Sequence, residues 1–132
     1  MNDIKFEKDL SAAETLVMKA VWDATDDIAI PDLIEVLRTQ FGKDYARTTV
    51  VTFLQRLAGK GFVTTYRKGR ISYAHALKEE ADYKGNMMKE KASFWYEGSP
   101  SSLMASLLGA QGEVAEDEIA KLRELIDAFD KH

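Results

Sequence analysis

The sequence predicts a mainly α fold with one small β-hairpin, and three observations carry that prediction. Between Ser11 and Gly59, apolar residues recur at helical spacing in three successive stretches. Two runs rich in β-branched and aromatic residues then flank Lys68-Gly69, as in a tight hairpin. From Glu79 onward the apolar spacing is helical again. Helix, helix, helix, hairpin is the order of a winged helix-turn-helix, here followed by a helical region.

The first helix lies in LSAAETLVMKAVWDA. Ser11 can cap it, and Glu14 stands at capping-box spacing. Val17 and Val21, with Ala13 and Ala20, form one apolar face, and Met18 and Trp22 form its neighbour. IAIPDLIEVLRTQFG is the second helix: Pro31 suits its start, Leu33, Ile34, Leu37 and Phe41 make its stripe, and Gly42 suits its end. In the third, TTVVT is β-branched and favours a strand locally. However, Val50, Phe53, Leu54 and Leu57 fall at i, i+3, i+4, i+7, so a helix is expected, ended by Gly59 and Gly61. The hairpin tip is Arg67, Lys68, Gly69 and Arg70. Beyond it, EEADYKGNMMKEKASFWYEG holds Met87, Met88, Phe94 and Trp95. SPSSLMASLLG begins with a Ser99 cap and Pro100. AEDEIAKLRELIDAF aligns Ile119, Leu122, Ile126 and Phe129, with Leu125 beside them. Glu116, Asp117 and Glu118 lead this last helix, as its dipole favours.

Composition narrows the function. The chain has 132 residues, 45% of them hydrophobic and 30% charged, which fits one small domain or a domain with an appendage. Cysteine is absent, which removes thiolate metal sites, thiol nucleophiles and thiol redox sensing and favours the cytoplasm. Imidazole comes only from His75 and His132, so no metal or cofactor site is expected. Apolar runs fall far short of the ~20 residues that span a bilayer. The charged opening MNDIKFEKDL has no secretory h-region, so neither membrane insertion nor export is expected. There is no glycine-rich phosphate loop, and the paired acids sit where loops or helix starts are expected, so an enzyme is not expected.

Charge supplies the positive signal. The formal net charge is -4, yet Ala46 to Tyr73 contains no acid. On the third helix, the face opposite Val50, Leu54 and Leu57 carries Thr48, Thr52 and Gln55, with Thr49 and Arg56 beside it and Arg47 at the tip. The hairpin adds Arg67, Lys68 and Arg70, three cations that repel one another unless an anion lies beneath. Double-stranded DNA is such an anion, and its major groove admits a helix. The expected DNA-binding residues are therefore Arg47, Thr48, Thr49, Thr52, Arg56, Arg67, Lys68 and Arg70, with a recognition helix at about 47–59 and a wing at 66–71. Residues 1–78 are expected to form the winged-helix DNA-binding domain and residues 79–132 a helical dimerisation region. The latter is too short to bury much surface alone, and a homodimer interface through Phe94, Trp95, Leu103, Leu107, Leu108, Leu122 and Ile126 would cover it. The rival reading is a winged-helix protein–protein interaction module without specific DNA readout; its weakness is the basic wing, which such a module does not need.

Three stretches carry a resemblance: LSAAETLVMKAVWDA, ARTTVVTFLQRLAGKGFVTTYRKGRISYA and FWYEGSPSSLMASLL…DEIAKLRELID. They resemble the penicillinase repressor family, which includes β-lactamase, methicillin-resistance and copper-responsive repressors. The resemblance runs from about Leu10 to Phe129 and implies a homodimeric winged-helix repressor on a pseudo-palindromic operator. By position, Arg47, Thr48, Thr49 and Thr52 match the recognition helix, and Arg67, Lys68 and Arg70 match the wing. Tyr73 matches a tyrosine of the returning wing strand, in a packing or phosphate-contacting role. The resemblance also implies a membrane-bound sensor protease as partner. Three departures stand out. The paired cysteines of the copper-responsive branch are missing. Ser106-Leu107 stands where the β-lactam branch is cut at Asn-Phe. His75 stands where the family has proline.

Overall fold

A computed structural model describes residues 10–130. His132 and the first nine residues of the charged opening segment, on which the export expectation rests, lie outside them. The elements run α1 (Ala12–Asp23), β1 (Ile28–Ala29), α2 (Ile30–Phe41), α3 (Arg47–Gly59), β2 (Val63–Lys68), β3 (Ile71–Ala76), α4 (Glu80–Tyr96), α5 (Pro100–Gln111) and α6 (Glu116–Asp130). The described residues gather into two units, the first ending at Glu90 and the second beginning at Lys91.

In the first unit the sequence signals act as expected. The Ser11 hydroxyl accepts from the Glu14 amide at 3.1 Å, and the Glu14 carboxylate accepts from the Ser11 amide at 2.9 Å, completing the capping box. α2 ends at Gly42, left-handed at φ 66°, and the Lys43 amide donates back to the Leu37 carbonyl at 3.0 Å. The chain then turns into α3, with Tyr45 edge-on to Phe53 at 5.2 Å. Val17, Met18 and Val21 of α1, Leu33 and Leu37 of α2, and Val50, Leu54 and Leu57 of α3 meet in one core, closed by Phe62, Val63 and Ala74. Each of the Val, Leu, Met and Phe side chains, removed from water, contributes roughly 1.5–3 kcal/mol. That burial holds α3 as a helix against the strand preference of Thr48-Thr49-Val50-Val51.

Two expectations are corrected. Ile28 and Ala29, read as part of the second helix, form a short strand that pairs with β3 at Ala74 and Tyr73, making an antiparallel sheet of order β1-β3-β2. Both residues are buried, and pairing satisfies backbone groups that would otherwise be buried without partners. The hairpin turn is Gly69-Arg70, one residue later than Lys68-Gly69. Gly69 has φ 68° and Arg70 is not among the positive-φ residues, the II′ pattern that matches strand twist.

The start of α4 belongs to this unit. The Trp22 indole donates to the Lys78 carbonyl at 2.8 Å, and Tyr83 packs on Trp22 and Phe62 with ring centroids 5.4 Å away from each. In the second unit, Ser99 caps α5 through the Ser102 amide at 3.2 Å, and the Tyr96 hydroxyl donates to Ser106 at 2.7 Å. Helices α4, α5 and α6 bury no residue.

Candidate nucleic-acid interface

Because Val50, Leu54 and Leu57 are held in the core, the opposite side of α3 must face solvent. Arg47, Thr48, Thr52, Gln55 and Arg56 are exposed there, and Thr49 is half-buried at the border. The Thr52 hydroxyl donates to the Thr48 carbonyl one turn back at 3.0 Å. This uses its proton, so Thr52 offers outward a methyl group and oxygen lone pairs. Those suit a thymine methyl or an amino group on a base edge. Arg47 extends from the first turn of α3, which carries no acidic residue and no side-chain cap. The amides of that turn therefore point, with the helix dipole, toward anions.

The wing presents charge differently. Arg67 pairs across the hairpin with Ser72, and Lys68 with Ile71. Successive strand residues alternate faces, so Arg67 and Lys68 project to opposite sides, with Arg70 in the turn between the strands. All three are exposed, and none forms an ion pair among the described residues. Nothing in the described fold neutralises this cluster, which leaves it available to an external anion.

At the base of the wing lies an arrangement the sequence analysis missed. Tyr66 and Tyr73 stack with centroids 5.5 Å apart and planes 15° from parallel. Asp27, just before β1, accepts from the Tyr66 hydroxyl at 2.7 Å and lies 2.8 Å from His75 Nδ1. The His75 hydrogen bond, then the Tyr66 hydrogen bond, holds the Asp27 carboxyl below its ordinary value. The Asp27 bond in turn raises the Tyr66 hydroxyl above its own. Nothing local foretold this, since Asp27 lies far from both partners in the chain; only the β1–β3 register brings them together. Tyr73 is half-buried against Tyr66, the packing half of its expected role.

The residues expected at the C-terminal interface divide by exposure. Phe94, Trp95, Leu107 and Ile126 are exposed, Trp95 at 67% and Ile126 at 62%. Leu103, Leu108 and Leu122 are half-buried. No described helix is long and apolar enough to cross a membrane.

The chain is similar to several known proteins. The methicillin resistance regulatory protein MecI of Staphylococcus aureus (strain N315) is 29% identical over 119 residues, covering 90% of this chain and 94% of that protein. MecI of Mammaliicoccus sciuri is 28% identical over the same share of both chains. Among solved structures, the DNA-binding domain of the repressor BlaI is 29% identical, covers 60% of this chain and 92% of its own, and has a TM-score of 0.49. The Bacillus licheniformis BlaI monomer in complex with the blaP half-operator is 29% identical, with a TM-score of 0.46 and 63% and 94% covered. The family model for the penicillinase repressor matches residues 10–128. Across that span the chain belongs to the penicillinase repressor family, a family of transcriptional repressors and not of enzymes.

Proposed function

We propose that this chain represses transcription as a homodimer on a pseudo-palindromic operator. Each subunit lays α3, residues 47–59, in a major groove and sets the wing, residues 66–71, on the backbone or an adjacent minor groove. The observation that carries this reading is the exposed, uncharged threonine face of α3, bordered by Arg47 and Arg56 and joined by three wing cations that form no ion pair among the described residues. Arg47, Thr48 and Thr52 read base edges with Thr49 beside them on the recognition helix, while Arg56, Arg67, Lys68 and Arg70 hold phosphates. Phosphate contacts supply most of the affinity and make it strongly salt-dependent.

In this reading residues 1–78 bind DNA and residues 79–132 dimerise. Support for dimerisation comes from α4–α6, which bury nothing and leave Phe94, Trp95, Leu107, Leu125, Ile126 and Phe129 exposed. A second copy of the same surface would cover them. An operator-binding repressor works in the cytoplasm. Release by a membrane-bound sensor protease would have to open α5, because Ser106-Leu107 lies inside that helix.

The test is selection from random duplex DNA by the purified protein at near-physiological salt. An enriched pseudo-palindrome supports the proposal, and its half-site spacing reports the dimer geometry. Retention without a motif reduces the function to charge-driven binding. No retention overturns it.

A further inference from the structure

We infer that Asp27 is a positioning residue for DNA binding: its carboxylate clamps both strands of the wing at their base and thereby aims the wing cations. The inference rests on the DNA-binding reading of the wing.

The sheet register sets up the clamp. Ile28 lies opposite Ala74 and Ala29 opposite Tyr73, so continuing the register places Asp27 beside His75. On the other side of β3, Thr64 pairs with His75 and Tyr66 with Tyr73. Paired residues share a face, and so do residues two apart along a strand. Asp27, His75, Tyr66 and Tyr73 therefore all lie on one face of the sheet. The opposite face carries Val63 and Ala74, which are buried in the core.

Asp27 uses both carboxylate oxygens in this arrangement. Oδ1 meets His75 Nδ1 of β3 at 2.8 Å, and Oδ2 accepts from the Tyr66 hydroxyl of β2 at 2.7 Å. One side chain on the α1–β1 connection thus grips both strands of the hairpin. The Tyr66–Tyr73 stack lies directly outward of it.

Beyond that stack the wing has little support. Arg67, Lys68, Gly69, Arg70 and Ile71 are all exposed, and β1 pairs with β3 only as far as Tyr73. A two-stranded hairpin is marginal on its own. Its direction is therefore set where its last side-chain anchors lie, at Asp27. A small rotation there moves the tip cations away from the phosphates they must meet while leaving α3 in place. The effect is separable: losing the clamp weakens phosphate contacts and spares base readout.

The experiment measures binding of the full chain to its selected operator across a salt series. Wild type is compared with Asp27→Ala, Tyr66→Phe and Lys68→Ala. Asp27→Ala is expected to lower affinity about tenfold and to flatten the salt dependence by about one phosphate contact, while the enriched motif stays the same. Tyr66→Phe keeps the ring stack and removes one bond, so a partial effect is expected from a variant that should fold normally. Asp27→Asn, which can still accept from Tyr66, should recover part of the loss. If Lys68→Ala flattens the salt dependence and both Asp27→Ala and Tyr66→Phe leave it unchanged, the clamp is overturned while the DNA-binding wing stands. If Lys68→Ala leaves it unchanged as well, the wing reading and the clamp fall together. A changed motif in Tyr66→Phe would also overturn the clamp, since it would mean that the base of the wing sets α3.

Discussion

Lys60 Nζ lies 2.6 Å from Glu14 Oε1, an ion pair that ties the first turn of α1 to the residue capping α3. Glu14 is 2% exposed and is the one charged side chain fully buried among the described residues. Its carboxylate serves two elements at once, because it also accepts from the Ser11 amide that it caps. The helix proposed to read DNA is thus held at its far end by a charge on another helix. The two partners are unequally placed: the Glu14 side chain is 3% exposed and that of Lys60 31%.

This inequality predicts an order of damage opposite to the order of burial. Lys60→Ala strands a carboxylate in the core, whereas Glu14→Gln preserves the cap and leaves an ammonium that can turn to water. Lys60→Ala is expected to cost about 3 kcal/mol and Glu14→Gln about 1 kcal/mol. Urea denaturation at neutral pH measures both. Equal losses would mean that the pair contributes only packing.

The same pair predicts acid sensitivity. Burial opposes ionisation of Glu14, but the Lys60 and Ser11 hydrogen bonds, with the charges of Lys60 and Arg56, outweigh it and hold the carboxyl below its ordinary value of 4.5. A group whose value is lowered by folding stabilises the native state fully above its ordinary value and loses that contribution as pH falls through the lowered one. Wild type should therefore lose stability below pH 4.5 more steeply than Glu14→Gln. Parallel denaturation midpoints for the two proteins over that range would refute this linkage.

Much of this fold was legible because its signals are local. Ser11 with Glu14, Gly42, and the Val50-Leu54-Leu57 stripe each announce an element within a few residues. The exposed face of α3 followed directly, since burying one side of a helix exposes the other. Long-range pairings were not legible. Ile28-Ala29 is too short to show alternation, so β1 was absorbed into α2, and without β1 neither the Asp27–His75 nor the Asp27–Tyr66 contact could be placed. The capping role of Glu14 is local to Ser11, whereas its bond to Lys60 depends on how α1 packs against the end of α3.

Arg47 and Lys68 should behave differently on DNA. Arg47→Ala is expected to weaken operator binding by roughly 1–3 kcal/mol and to relax the base preference at one position, because a bidentate contact to guanine is lost. Lys68→Ala should weaken all sequences alike and reduce the salt slope by about one contact. Binding isotherms on operator and scrambled duplex across a salt series separate the two. If both variants lose only a sequence-independent amount, Arg47 is a phosphate contact and the reading residues lie elsewhere on α3.

The C-terminal helices make the last prediction. Ile119 and Leu122 of α6 are half-buried, whereas Leu125, Ile126 and Phe129 stand 55%, 62% and 72% exposed. A helix that exposes large apolar side chains in this way belongs against a partner surface. Ile126→Asp places a charge where a self-complementary interface would have to bury it, an unpaired-charge cost of several kcal/mol at each of two symmetry-related sites. Sedimentation equilibrium at micromolar concentration should show a dimer for wild type and a monomer for Ile126→Asp. Helical content should be unchanged below residue 90, where the core lies in the first unit. The monomer should keep its base preference on a half-site and lose the gain from joining two half-sites, because only the linkage between recognition helices is gone. A variant that stays dimeric would move the interface away from α6, and a wild type that is monomeric at those concentrations would remove residues 79–132 as the dimerisation region.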